Sequence, residues 1–123
     1  RVNLQGANLQ GAKLQSANIQ DANLTGIDLR GMDLSGANLS GSNLGGAILT
    51  EANFSHADLS KVDLSGKDFR GTNLKGASFE GATLTGVNLT KADLTGANLR
   101  NTELDAVIFC NTKTSWGEDS SDC

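Results

Sequence analysis

The sequence predicts an all-β protein, a solenoid in which the chain winds as a parallel β-helix. Three observations support this prediction: an apolar residue recurs every five positions, a small or apolar residue usually stands two places before it, and polar residues or glycine fill most of the rest. A period of five fits neither the 3.6-residue helix nor a long strand with alternating sides. We therefore expect each repeat to form one short extended side and one turn.

The repeated apolar residue, called the centre below, defines twenty-two copies of the repeat. Counting in fives from Leu4 to Phe109 finds seventeen Leu, one Ile and four Phe at the centres. The residue two places before the centre is Ala in twelve copies. Both side chains lie on one face of an extended segment, so we expect both to point inward. A narrow interior holds a large centre only beside a small neighbour, because overpacking costs about 1–3 kcal/mol per site.

The remaining positions of the repeat predict turns. Glycine closes thirteen copies, and Asn or Asp stands immediately before sixteen of the centres. Short Asn and Asp side chains hydrogen-bond the backbone of turns, so we assign them a structural role. If each turn is close to a right angle, four repeats complete one coil, which rises by about 4.8 Å, the spacing of β-strands. The chain then makes about five and a half coils of short parallel strands.

The repeat resembles a known family motif. Ala92-Asp93-Leu94-Thr95-Gly96 is one copy of the tandem A(D/N)LxG pattern, and residues 2 to 109 resemble the pentapeptide-repeat family throughout. This resemblance implies a right-handed quadrilateral β-helix. We expect residues 1–109 to form the β-helix domain and residues 110–123 to form a capping tail. The first coil begins in mid-pattern without a polar cap, so we expect further residues upstream.

The tail is polar and is bracketed by the only two cysteines. After Phe109 the next centre would be Thr114, which breaks the pattern. The Cys-x12-Cys ending resembles thylakoid-lumen members of the family, from chloroplasts or cyanobacteria; the alternative compartment is the periplasm. Two cysteines outside any metal-binding spacing indicate a disulfide between Cys110 and Cys123, which would place Trp116 over the last coil. The alternative is a frayed terminus with two free thiols.

The sequence offers no convergent set of catalytic or metal-binding residues. Catalysis by the one histidine, His56, would need a nucleophile and an orienting acid within hydrogen-bond reach. Ser55 is adjacent, but His56 stands at the corner position where most repeats have Gly, so we expect a solvated histidine. Two Cys and one His do not complete a zinc site, and no glycine-rich phosphate-binding motif occurs. We therefore expect no enzymatic activity, no cofactor and no metal.

The charge distribution limits the classes of partner. The net charge is −4, of which the tail carries −2 from three acidic residues and one lysine, leaving −2 on the repeats. No basic nucleic-acid footprint exists, and no apolar run approaches the roughly 20 residues that span a bilayer. We expect a monomeric, non-enzymatic structural or protein-interaction module with an unidentified protein partner. The alternative is a DNA-mimicking gyrase-binding protein, as some family members are, but that function needs a long acidic rod.

One face of the predicted coil is the candidate interaction surface. It runs through Leu9 and every twentieth residue after it, as far as Phe109. Its local charge is +1, from four basic and three acidic residues. We call it the mixed face. It carries two acid–base pairs and two outward isoleucines: Asp28 with Arg30, Asp68 with Arg70, and Ile48 with Ile108. By contrast, the face through Leu64 and every twentieth residue on either side of it carries three acidic and no basic residues. We call it the acidic face.

Four inward positions are polar. Burying an unpaired ammonium costs several kcal/mol, so we expect the Lys67 head group to reach outward from the wall, or to pair with Asp68 or Glu51. A small inward hydroxyl can bond the backbone of the coil, and we expect this of Ser42, Thr72 and Thr102.

Overall fold

The computed structural model describes residues 1–123, and its coils are joined by parallel β-bridges. Each bridge links residues that are twenty apart in sequence, from Asn3 with Asn23 to Asp93 with Lys113. Two backbone hydrogen bonds accompany a typical bridge. Leu24 N–H donates to Asn43 C=O at 2.8 Å, and Asn43 N–H donates to Ala22 C=O at 2.9 Å. The predicted parallel stacking of repeats four apart is therefore confirmed.

The coils lack the short strands that the sequence predicts. Single-residue bridges replace them, because a turn follows every extended segment and only the residue before each centre pairs in a ladder. Two continuous strands occur, and both lie in the tail. Strand β1 (Thr112–Thr114) and strand β2 (Gly117–Asp119) form an antiparallel hairpin. No residue is helical.

The core fills the inside of the coil with the centres and their small neighbours. Every centre from Ile19 to Leu94 is buried, which confirms the predicted inward orientation. Three of the phenylalanines meet edge to face inside the tube. The ring centroids of Phe54 and Phe69 are 6.1 Å apart, and those of Phe69 and Phe79 are 6.5 Å apart. Such aromatic pairs add about 0.5–1.5 kcal/mol beyond the area they bury.

The backbone is left-handed at the second residue after every centre. All twenty-two of these corner residues have φ between 50° and 78°, and nine of them are not glycine. A side chain at such a φ costs about 1 kcal/mol, so thirteen glycines reduce the strain of a geometry that every repeat needs. The corner bond runs from the residue after the corner back to the centre, as from Ala7 N–H to Leu4 C=O at 2.9 Å.

The side chain of the Asn or Asp before a centre stabilises the turn that follows, from the outer surface of the coil. All sixteen of these side chains accept a hydrogen bond from the backbone N–H two residues later, as predicted. We call this contact the Asx bond. Inward hydroxyls also bond the backbone as predicted: Ser42 to Ile19 C=O at 2.7 Å, and Thr72 to Phe69 C=O at 2.7 Å. Thr102 bonds a coil carbonyl likewise.

The coil geometry continues one side beyond the boundary expected at residue 109. Lys113 pairs with Asp93 as the next outward residue would, and Leu94 N–H donates to Lys113 C=O at 2.7 Å. Thr112 and Thr114 are buried at the two inward positions. Threonine fits there because each hydroxyl bonds a backbone carbonyl, of Leu89 and Gly117 respectively. The break in composition at Thr114 is therefore not a break in the path of the chain.

Replacing Leu64 with Asp is expected to unfold the protein. Leu64 is fully buried in a column whose neighbours, Leu44 and Leu84, offer no polar partner, so the variant should lose more than about 4 kcal/mol. Circular dichroism and urea unfolding measure this loss. Gln20→Asp, an exposed position, is the matched control and should remain folded. A Leu64→Asp variant with an unchanged unfolding midpoint would contradict the fold.

The Asx bond predicts a specific acid sensitivity at Asp63. Hydrogen bonds from the Ser65 hydroxyl, and then from its backbone N–H, hold the pKa of Asp63 below the ordinary value. The ionised carboxylate therefore stabilises the fold above the unfolded pKa of about 3.9, and this contribution is lost as pH falls through the lower folded pKa. Asp63→Asn keeps an acceptor oxygen but loses the charge, so we expect a slightly lower melting temperature than wild type at pH 7 and a smaller loss of melting temperature in acid.

Asp63→Ala is the control, because it removes the acceptor as well as the charge. It should lose about 1 kcal/mol at neutral pH, where Asp63→Asn loses little. Thermal unfolding of the three proteins from neutral to acid pH makes the comparison. Equal stability of the Ala and Asn variants at pH 7 would show that the Asx bond contributes nothing.

Candidate functional site

The mixed face carries two identical ion pairs, two coils apart. Arg30 Nη2 lies 2.8 Å from Asp28 Oδ2, and Arg70 Nη2 lies 2.7 Å from Asp68 Oδ2. Each arginine also donates Nε–H to the same carboxylate, and the carboxylate accepts the arginine's own backbone N–H in the Asx bond. Three donors from one residue hold each carboxylate. The pairs are thereby fixed in orientation although they face solvent.

These contacts shift the pKa of every member of the two pairs. Side-chain hydrogen bonds from Arg30 and Arg70 hold the pKa of Asp28 and Asp68 below the ordinary value, and the carboxylates raise the pKa of both guanidinium groups. All four groups stay charged at neutral pH. Exposed pairs of this kind contribute little to stability, so their fixed geometry is more informative about surface recognition than about folding.

Ile48 lies between the two ion pairs and is 42% exposed. It occupies the position before a centre, where sixteen other repeats have Asn or Asp. Its aliphatic side chain accepts no hydrogen bond, and the backbone N–H of Thr50 has no partner in the protein. Ile108, three coils away in the same column, is 39% exposed, but there Thr112 Oγ1 accepts the free N–H of Cys110. Ile48 therefore leaves the N–H of Thr50 without a partner, in contrast to Ile108.

A groove of about 550 Å³ lies at the corner of the mixed face, beginning at Thr50, two residues after Ile48. Gly71 has no side chain and leaves a notch between the corner residues of the coils below and above, Glu51 and Lys91. Neither of these charged residues forms an ion pair. The sequence analysis missed this groove, although the order Glu, Gly, Lys at twenty-residue spacing is visible in the sequence. The groove is lined by Thr50, Glu51, Arg70, Gly71, Thr90 and Lys91.

Lys67 and His56 have structural explanations. Lys67 is half-buried and forms no ion pair with Asp68 or Glu51; its charge instead helps to lower the pKa of Asp63, after the hydrogen bonds from Ser65. His56 is an exposed corner residue with φ of 58°. Its imidazole lies over Gly76, where an added Cβ would come within 2.5 Å of Nδ1.

The tail ends on a disulfide between Cys110 and Cys123, whose Cα atoms are 4.9 Å apart. Residues 120–122 lie over the last coil and bond its upper edge with side chains. Phe109 N–H donates to Asp122 Oδ2 at 2.9 Å, and Asp122 N–H donates back to Phe109 C=O at 2.9 Å. Ser120 Oγ accepts the N–H of Asn111 at 3.0 Å. These groups stand where the backbone of a further coil would be.

Trp116 covers less of the last coil than the sequence predicts. Its ring packs edge to face on Phe109, with centroids 6.0 Å apart, yet it is 58% exposed. Leu104 stays 37% exposed, so the tail does not cover that part of the last coil. The tail reverses direction before it reaches that side. The structure holds no group of three or more His, Cys, Asp or Glu side chains arranged to hold a metal ion, and none of its segments forms a helix suited to crossing a bilayer.

Comparison with known proteins identifies the repeat. A family model described as pentapeptide repeats matches eight copies, over residues 1–31, 33–66 and 68–111. No curated protein matches the chain by sequence. The chain is similar to HetL of the cyanobacterium Nostoc sp. strain PCC 7120, a pentapeptide repeat protein involved in heterocyst differentiation regulation, with 27% identity and a TM-score of 0.65. The match covers 95% of this chain and 65% of HetL, so the chain spans less than two thirds of that protein.

Two further solved structures are similar in sequence. A second pentapeptide repeat protein of Nostoc PCC 7120 is 31% identical, with a TM-score of 0.64, over 87% of this chain and 84% of that protein. A pentapeptide repeat protein of the Arabidopsis thaliana thylakoid lumen is 32% identical, with a TM-score of 0.44, over 88% of this chain and 71% of that protein. Together with the family match and the parallel bridges, the Nostoc structures assign a right-handed parallel β-helix. The chain belongs to the pentapeptide-repeat family.

Proposed function

We propose that the chain is a non-enzymatic module that binds a protein partner through the mixed face. The exposed, uncapped Ile48 carries this proposal. An Asn at that position would accept a hydrogen bond from Thr50 N–H, as Asn does in other repeats, and would expose less apolar surface to water. Isoleucine forfeits a hydrogen bond of about 1 kcal/mol and leaves a large apolar side chain in solvent. A residue that weakens the free protein in two ways is explained by a contact that it makes with something else.

The surroundings of Ile48 suit a specific protein contact. The Asp28–Arg30 pair lies one coil below it and the Asp68–Arg70 pair one coil above, each held rigidly by several hydrogen bonds. An apolar anchor with a polar, oriented rim is the usual anatomy of a protein interface. The groove at Gly71 adds unpaired charges of both signs, which select a partner by electrostatic complementarity.

The finer architecture and the oligomeric state are part of the same proposal. Four repeats per coil with near-equal corners give a quadrilateral tube of about five and a half coils. Residues 110–123 act as a cap that starts with one more coil side and ends at the disulfide, and the module is a monomer. Support comes from the side-chain bonds of Asp122 and Ser120, which terminate the edge at Phe109 and Asn111.

We propose the thylakoid lumen as the compartment, with the periplasm as the alternative. The disulfide supports an oxidising compartment, and the Cys-bracketed ending resembles lumenal family members. We propose no nucleic-acid partner. The acidic face offers only Asp63, Glu103 and Asp105 over its whole length, too sparse a set to compete with the phosphates of duplex DNA for gyrase.

Replacing Ile48 with Asn should stabilise the protein and weaken partner binding. The new side chain can accept the N–H of Thr50, so we expect unfolding to cost about 1 kcal/mol more. Loss of the apolar anchor should lower capture of the partner severalfold. Immobilised wild type and variant would be incubated with soluble extract of the source organism, and retained proteins quantified by mass spectrometry beside melting temperatures.

The matched control is Thr83→Asn on the acidic face. Thr83 also precedes a centre, and the N–H of Thr85 likewise has no partner. This variant should gain stability in the same way but retain every captured protein. If wild type and both variants captured the same proteins in equal amounts, Ile48 would not contribute to partner binding. The proposal that the mixed face binds the partner would then be wrong.

Removing the disulfide should loosen the cap without unfolding the coils. Closing a loop of this length contributes about 3 kcal/mol by the chain-entropy estimate. The Cys110→Ser/Cys123→Ser variant and the reduced protein should therefore show the same lowered melting temperature. Intact mass after alkylation in denaturant counts the free thiols. Two free thiols in protein made under oxidising conditions would contradict the proposed cap.

A further inference from the structure

The cap protects only half of the last coil. Its contacts lie on the sides of Leu94 and Phe109: Lys113 pairs with Asp93, Ser115 Oγ accepts the N–H of Gly96, and residues 120–122 bond the edge at Phe109. No residue of the tail bonds the sides of Leu99 and Leu104. We call residues 97–106, which form those two sides, the open edge.

A shift of one residue explains why the cap stops there. In all twenty-two repeats the left-handed residue comes two places after the centre, so after Thr114 it would be residue 116. Trp116 stands there without a positive φ, and Gly117 takes φ of 110° instead. The chain therefore makes a hairpin between β1 and β2 where it would have turned a corner. It doubles back over Phe109 and never crosses Leu99 or Leu104.

The open edge presents a row of unused backbone donors. The N–H groups of Leu99, Asn101, Leu104 and Ala106 make no hydrogen bond within the protein. The same positions one coil below are all bonded: Leu84 N–H donates to Glu103 C=O at 2.9 Å, and Gly86 N–H to Asp105 C=O at 2.9 Å. An exposed row of this kind is a template for an added strand.

The side chains of the open edge define the chemistry of that strand. Leu104 is a centre of the last coil and is 37% exposed, so the strand must place an apolar residue above it. Glu103 and Asp105 flank Leu104 on the outside, form no ion pair, and lie on the face that carries no basic residue. Outward residues of paired coils stand about 4.8 Å apart, so basic side chains on the added strand would meet both carboxylates.

We propose that the open edge binds an extended segment of a partner protein in which basic residues alternate with apolar ones. The segment adds one further coil side, with its backbone on Leu104, an apolar side chain over Leu104, and Lys or Arg beside Glu103 and Asp105. This site is separate from the mixed face, since it lies on the end of the rod. Both sites can be occupied together.

A labelled hexapeptide of alternating Lys and Val is the probe, added to the intact, disulfide-bonded protein. Fluorescence anisotropy should show binding, and amide hydrogen exchange should slow at Leu104 and Ala106. Glu103→Gln/Asp105→Asn should weaken binding about tenfold, as expected for two lost charge contacts. Asp63→Asn, which removes a carboxylate from the same face two coils away, is the matched control and should bind like wild type. Ile48→Asn should also bind normally, which separates this test from that of the mixed face.

Two control peptides test the backbone and the charge separately. A peptide with N-methyl-Lys in place of the central Lys keeps the charge but lacks the ladder N–H of an outward residue, as Glu103 N–H donates to Ala82 C=O, and it should bind several times more weakly. A peptide of alternating Glu and Val should not bind. Any of three results would overturn the proposal: no binding at about 1 mM Lys–Val peptide, equal binding of the Glu–Val peptide, or protection of amides elsewhere than at the open edge. Concentration-dependent dimerisation of the free protein would assign the edge to a second copy instead.

Discussion

The left-handed corner is the constraint on which the rest of the structure depends. It recurs at every fifth residue without exception, and it turns the chain so that residues twenty apart can pair. The inward columns, the interior width and the flat faces all follow from this period. The corner also explains why nine non-glycine corners are tolerated: about 1 kcal/mol of strain at each is small beside the bonds between coils that the turn permits.

The same strictness explains how much of the fold the sequence could reveal. The centres, the small residues before them and the Asn or Asp bonds obey one local rule, so inspection of any repeat predicts the others. The extent of the strands could not be predicted in this way, because pairing depends on how tightly successive corners follow one another. The path beyond Phe109 was hidden for another reason. Threonine breaks the apolar pattern, yet a hydroxyl that bonds the backbone fits the interior as well as leucine does.

The candidate site was partly visible in the sequence. Ile48 and the two acid–base pairs follow from counting in fives, because a regular face makes an irregular residue conspicuous. The structure adds that Thr50 N–H lacks the Asx bond that all sixteen Asn and Asp repeats make. This difference supports the mixed face as an interaction surface, and it could not be read from the sequence. The groove at Gly71 required the stacking of three coils, with no side chain at the corner of the middle one. Its residues lie twenty apart, so no local motif links them.

The way in which the coiling stops determines which backbone groups of the last coil stay unpaired, and so creates the open edge. Every coil satisfies the backbone of the one below it, so the last coil always leaves an edge that something must cover. Here the left-handed residue moves from position 116 to Gly117, and the corner becomes a hairpin. The hairpin and the disulfide cover the sides of Leu94 and Phe109. Side-chain oxygens there accept backbone N–H groups that the carbonyls of a further coil would otherwise accept. Because the hairpin reverses the chain, the cap covers the sides of Leu94 and Phe109 but does not reach those of Leu99 and Leu104. The one-residue shift that stops the coiling therefore also leaves an edge to which one more strand can be added.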